Sequence, residues 1–328
     1  MMRRRTRVAL GATAALATAA LAGCGLQPAT SYVPDFSEGS IRPADVPEGT
    51  PLTVTAKNFT EQLILGKIGV LTAQAAGFEV TDMTNVPGSV PVRELMLSGE
   101  AQMTWEYTGT AWLTYLGEPE GIPDPDEQFE AVYEADLANG LTWSDAAPLN
   151  NTYAFAVASE RAEELGLTSI SGILDLPVEE RTLCVEPEFN SRADGLGPLL
   201  EHYGIERGPA GIPDDQISIL DTGAVYTAID RGSCLFGEVF SSDGRIPALD
   251  LTVLEDDLEF FPAYNASAVF NTETLEQYPG LGDAFAQVAP LITDDTMREL
   301  NRRVDVDGEE PADVAFEWMV SEGFISEP

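Results

Sequence analysis

Apolar residues in this chain switch repeatedly between a spacing of two and a spacing of three to four, and the alternation runs through the chain twice. Leu52, Val54 and Ala56 occupy alternate positions, as in a strand. Ile64, Ile68, Leu71 and Ala75 then recur at helical spacing until Gly77 ends the run. A short strand follows at 78–81, and a helix at 89–98 opens on Ser89 with Pro91 in its first turn. Met103 and Trp105 alternate again, and 111–116 returns to helical spacing. After Asn150 the rhythm restarts, with strands predicted at 153–158, 181–185, 217–220 and 234–240 and helices at 195–203 and 223–229. A strand at 264–270 and helices at 281–292, 295–302 and 312–322 close the chain. This order specifies α/β architecture, and 328 residues are enough for two such units with sizeable cores.

The amino terminus reads as an address. Arg3, Arg4, Arg5 and Arg7 precede an Ala-rich apolar stretch, 8–21, that is too short for a comfortable membrane span and runs into Leu21-Ala22-Gly23-Cys24. That tetrapeptide resembles a bacterial lipobox, which implies that residues 1–23 are a signal peptide and that Cys24 carries a lipid on its sulfur. Residues 24–50 hold four prolines and three glycines without apolar periodicity, and are expected to be a flexible linker. A lipid on such a linker would hold a soluble body at the extracytoplasmic face of the cell membrane. No later run of about 18 apolar residues occurs, so any membrane channel must be a separate chain.

Charge and rare residues exclude several chemistries. Lys and Arg number 17 against 55 Asp and Glu, a net charge of −38, and Lys57 and Lys67 are the only lysines. Nucleic acid is excluded as a partner, because no basic stripe exists to neutralise phosphates. The acidity reads as solubility. One histidine, His202, cannot supply a multi-histidine metal site and makes a histidine-based triad a poor reading. Its place at a helix end is that of a solvated side chain. Cys184 and Cys234 lie in strand-like segments outside the reducing cytoplasm. On neighbouring strands they would reach each other, and closing a loop of about 50 residues contributes about 4 kcal/mol. Two buried free thiols are the alternative.

Seven segments occur in a specific order: Lys57-Asn58-Phe59-Thr60-Glu61-Gln62, Glu106-Tyr107-Thr108-Gly109-Thr110, Asn150-Asn151-Thr152-Tyr153, Glu186-Pro187-Glu188-Phe189 with Arg192-Ala193-Asp194-Gly195, Leu220-Asp221-Thr222-Gly223, Ser242-Asp243-Gly244-Arg245, and Phe261-Pro262-Ala263-Tyr264-Asn265. Together, over about 51–324, they resemble the substrate-binding lipoproteins of glycine betaine, carnitine and choline ABC transporters. The resemblance implies a two-lobed periplasmic-binding-protein fold of type II, with two α/β lobes joined by two crossing strands. On this reading 51–150 and 256–328 form the first lobe and 151–255 the second. It also implies a small quaternary ammonium ligand, a separate ABC permease as partner, no enzymatic activity, and neither cofactor nor metal.

In that family aromatic rings grip the trimethylammonium head. Matching segments place the walls at Tyr107 and Tyr264 of the first lobe and Tyr153 and Phe240 of the second. Rings suit the task because a quaternary nitrogen has no N–H to read, whereas a desolvated π face attracts it by about 2 kcal/mol. Phe240 departs from the pattern, which usually has Tyr there. It keeps the π face and loses the hydroxyl, and an ordinary core ring is the alternative. The resemblance implies that Lys57 and Arg192 pair a ligand carboxylate. Gln62 and Thr110 lie in first helical turns, where free N–H groups favour an anion, with simple capping as the other reading. A neutral Thr110 favours betaine or carnitine over choline.

Two rival classes fit less well. Asp305-Val306-Asp307-Gly308-Glu309 hints at a calcium-binding or adhesive surface lipoprotein but lacks the remaining ligands of a calcium loop. A secreted hydrolase would have to rely on carboxylates, and Glu61, Glu106 and Asp243 show no spacing that singles out an acid/base pair.

Overall fold

Alternation at Leu52, Val54 and Ala56 becomes a strand buried on both faces in the computed structural model, which describes residues 33–122 and 124–328. That strand, Pro51–Lys57, lies between Glu79–Val86 and Met103–Tyr107, parallel to both. Ala266–Asn271 and Leu141–Trp143 complete the five-stranded sheet in antiparallel sense. The helix Thr60–Ala75 is buried from Glu61 through Ala73 almost all round. It is covered on its outer side by the helices Asp294–Asp305 and Pro311–Ser321. Its all-round burial therefore marks an interior position rather than an amphipathic surface one.

The second sheet runs Leu251–Val253, Tyr153–Ala158, Phe236–Phe240, Leu183–Val185, Ile217–Ile219. Its last three strands are parallel and the first two antiparallel to their neighbours. Two segments, 144–152 and 254–265, cross between the sheets and touch at an antiparallel bridge between Asn150 and Asn265. The molecule is thus two-lobed α/β with mixed sheets, the fold class expected from the sequence. Cys184 and Cys234 form a disulfide with Cα atoms 5.8 Å apart, which settles the choice between a bridge and free thiols.

Local differences from the sequence reading have physical causes. The expected tether over 24–50 is corrected from Val33 onward; 24–32, with Cys24, lies outside the described residues. Ser37–Glu38 pairs with Ile325–Ser326, Ile41 is buried, and Val33, Phe36 and Val46 pack on the main core. These apolar residues follow neither a strand nor a helix period, so periodicity passes over them. The strand expected at 264–270 begins at Ala266, because Tyr264 and Asn265 belong to the crossing segment. Ala111–Tyr115 is wound as a π-helix, a geometry frequent at functional sites.

Candidate functional site

Strand ends build the site. Pro51–Lys57 ends on Lys57, Met103–Tyr107 on Tyr107, Phe236–Phe240 on Phe240, and Leu183–Val185 just before Glu186. These are carboxyl ends, where ligands of open α/β sheets sit. Tyr153 opens the strand Tyr153–Ala158 beside Phe240, and a crossing segment adds Tyr264. All of these residues line one cavity of about 530 Å³ between the lobes. Seven of the eight pocket residues expected from the sequence meet there: Tyr107, Tyr153, Phe240, Tyr264, Lys57, Arg192 and Thr110.

Tyr153 is the centre of the aromatic cluster. Its ring centroid lies 5.3 Å from Phe240, 5.6 Å from Tyr264 at near-perpendicular tilt, and 4.9 Å from Phe189 behind it. Phe59 also lines the cavity, stacks on Phe240 at 5.2 Å and links it to Tyr107 at 6.4 Å. Sequence reasoning places Phe59 within a motif and assigns it no role; its position right after a strand end is the available signal.

Buried carboxylates hold two of the phenols. Tyr107 donates to Glu61 Oε1 at 2.6 Å and Tyr264 donates to Asp194 Oδ2 at 2.6 Å. Burial first, then the charge of Glu61, pushes the Tyr107 phenol well above its ordinary range, and burial and Asp194 do the same to Tyr264. Burial likewise raises Tyr153, against the opposing charge of Arg192. The three phenols are therefore neutral, and hydroxyls donating to carboxylates polarise their rings toward a richer π face. Glu61 is itself a junction. It accepts from Tyr107 and Asn301 of the first lobe, Asn151 of a crossing segment and Ser242 of the second lobe.

The cations are already engaged. Lys57 Nζ donates to Glu106 at 2.5 Å and stands 4.9 Å from the Tyr107 ring centre. Arg192 grips Asp194 with Nε and Nη2, reaches Thr110 Oγ1 at 3.4 Å across the cleft, and lies 5.5 Å from the Tyr153 ring centre. Glu186, Glu188 and Asp221 also line the cavity, against Lys57, Arg192 and Arg245. Counter-acids Glu106, Asp194 and Asp243 pair those three cations from behind, so the surroundings are electronegative and suit a cation.

Gln62 is the residue the fold does not bring to the cavity. It is fully buried, accepts from the Lys57 N–H and donates to the Trp105 carbonyl, tying together the ends of two strands. The acidic run that a calcium reading would use is spent on arginines. Asp305 faces Arg245, Asp307 pairs Arg302, and Glu309 pairs Arg303.

Residues 50–321 match the family model described as the substrate-binding domain of ABC-type glycine betaine transport systems. The chain belongs to that family. A glycine-betaine-binding protein of Pseudomonas aeruginosa is 34% identical over 284 residues, covering 84% of this chain and 89% of the relative. The carnitine transport binding protein OpuCC of Listeria monocytogenes is 30% identical over 278 residues, 84% of this chain and 87% of that protein. A solved glycine betaine/carnitine/choline ABC transporter structure superposes with a TM-score of 0.68 at 28% identity, covering 83% of this chain and 99% of the other. As a member of this non-catalytic family, the protein is the extracytoplasmic solute-binding component of an ABC importer. It functions with a membrane-embedded ABC permease. Among the described residues no helix is long and apolar enough to cross a membrane.

Proposed function

We propose that this protein captures a quaternary ammonium compatible solute, of the glycine betaine, carnitine or choline type, and hands it to its permease. The carrying observation is that Tyr107, Tyr153, Phe240 and Tyr264 converge on one cavity whose surroundings are electronegative. A permanently methylated nitrogen is recognised there by π faces and by burial of its methyl groups, neither of which needs a hydrogen bond. Lys57, Arg192 and Thr110 stand at the polar end, where a ligand carboxylate would sit. Lipidation at Cys24 anchors the protein to the membrane surface.

The magnitudes are compatible. Micromolar affinity requires about 8 kcal/mol, and a ligand of about eight heavy atoms has a ceiling near 12 kcal/mol. Titration calorimetry with glycine betaine, carnitine, choline and ectoine tests the reading. At least one of the first three should bind with micromolar affinity, and Tyr153→Ala should abolish that binding. Silence from all three, or undiminished binding to Tyr153→Ala, would overturn it.

A further inference from the structure

One carboxylate in the cavity wall sits where a ligand carboxylate would have to go. Glu188, on the short second-lobe helix Pro187–Ser191, reaches across the cleft to the first lobe. Its Oε1 accepts from Ser89 Oγ at 2.5 Å and from Arg192 Nη1 at 3.1 Å, while Oε2 accepts from the Ser89 N–H at 3.2 Å. The other edge of Arg192, Nε and Nη2, is closed by Asp194, whose side chain is 2% exposed and also receives the Tyr264 hydroxyl. Lys57 is held by Glu106, which takes further bonds from the Tyr107 N–H and the Tyr115 hydroxyl. A ligand carboxylate approaching Arg192 therefore meets Nη1, and Nη1 is occupied by Glu188. With its side chain 30% exposed, Glu188 is the partner of Arg192 most able to give way. Burial pushes its carboxyl up, but the charge of Lys57, the Ser89 bond and Arg192 outweigh burial and keep it below the usual carboxylate range. It is charged at neutral pH.

We infer that Glu188 is a specificity-determining residue, an internal carboxylate that competes with a zwitterionic ligand for Arg192 and favours a purely cationic quaternary ammonium ligand. The inference rests on the reading of the cavity as a quaternary ammonium site. It runs against the preference for betaine or carnitine drawn from neutral Thr110. The bond from Glu188 to Ser89 closes the lobes whatever is bound, so it affects both ligand types alike. The charge affects them oppositely.

Calorimetric affinities for glycine betaine and choline, measured on the full chain and on Glu188→Gln and Ser89→Ala, separate these contributions. Glu188→Gln should raise the betaine-to-choline affinity ratio about tenfold, the size of one partly screened charge contact. Ser89→Ala, which weakens the clasp and leaves the charge, should weaken both ligands with the ratio held within about twofold. An unchanged ratio in Glu188→Gln, or an equal shift in Ser89→Ala, would overturn the inference while leaving the quaternary ammonium reading intact. An unaltered protein that binds neither glycine betaine nor choline would overturn the inference, and silence toward carnitine as well would overturn the quaternary ammonium reading with it.

Discussion

Single residues divide the binding work unequally. Tyr153 touches Phe240, Tyr264, Phe189 and Phe261, so its truncation removes the ring on which the others lean. Phe240 is different: it ends its strand, is only half-buried, and stacks flat on Phe59. Phe240→Tyr adds a hydroxyl near the cavity without displacing that stack, and we expect ligand affinity to change by less than about threefold. Calorimetry reads this directly, and a loss above about thirtyfold would mean that the position needs a ring without a polar tip. Within the same strand, Glu238 is buried beside Glu186, and its Oε1 has no hydrogen-bond partner. Burial, then the charge of Glu186, pushes the Glu238 carboxyl well up. A folded value above the unfolded one means that stability present at acid pH is lost as pH rises. Glu238→Gln should therefore melt higher than the unaltered protein at pH 8, with the gap closing toward pH 4; thermal melts across that range would show it. A gap that widens toward acid pH would contradict the assignment.

At the scale of elements, the two lobes meet through backbone as well as side chains. Gly244, in the turn after the strand Phe236–Phe240, lies against the helix Asp294–Asp305 so closely that a Cβ would stand 2.5 Å from Arg302 Cα and N. Gly109 is similarly placed under the Tyr264 ring, with Cδ1 at 2.6 Å from a built Cβ. Because the Gly244 contact joins the lobes, Gly244→Ala should wedge them apart. The expected outcome is a larger radius of gyration with ligand, measured by small-angle scattering, and affinity weakened about tenfold. An unchanged radius and affinity would mean that Arg302 yields. Elements with several apolar residues in phase, such as Pro51–Lys57 and Thr60–Ala75, are legible in the amino-acid sequence. Leu141–Trp143 is not, since three residues carry no readable period, and neither is Pro125–Leu137, although Asp124 caps it with its side chain.

For the molecule as a whole, the disulfide and the lobe closure do separate jobs. Cys184, in the strand Leu183–Val185, and Cys234, in the turn just before the adjacent strand Phe236–Phe240, are bridged across a separation of 50 residues and lie outside the cavity lining. Replacing both with Ser should remove about 4 kcal/mol and lower Tm by about 10 °C. Ligand affinity below the transition should stay unchanged. Calorimetric scans with and without ligand separate the two effects, and a fall in affinity matching the fall in Tm would tie the bridge to the site.

What the amino-acid sequence determined alone was the alternation of strand and helix, run twice, and the residue types at the strand ends. Both are local, because periodicity and turn chemistry act over a few neighbours. Which side chains share a cavity was decided by tertiary structure. Glu188 meets Ser89 over 99 residues of chain, Arg192 meets Thr110 over 82, and Gln62 turns inward to join two strands. The docking of 33–50 onto the body belongs to the same class, since it includes strand pairing with chain nearly 290 residues away at Ile325–Ser326. No local pattern encodes such pairings, because the favourable energy of each is realised only after elements distant in sequence have come together and water has left the space between them.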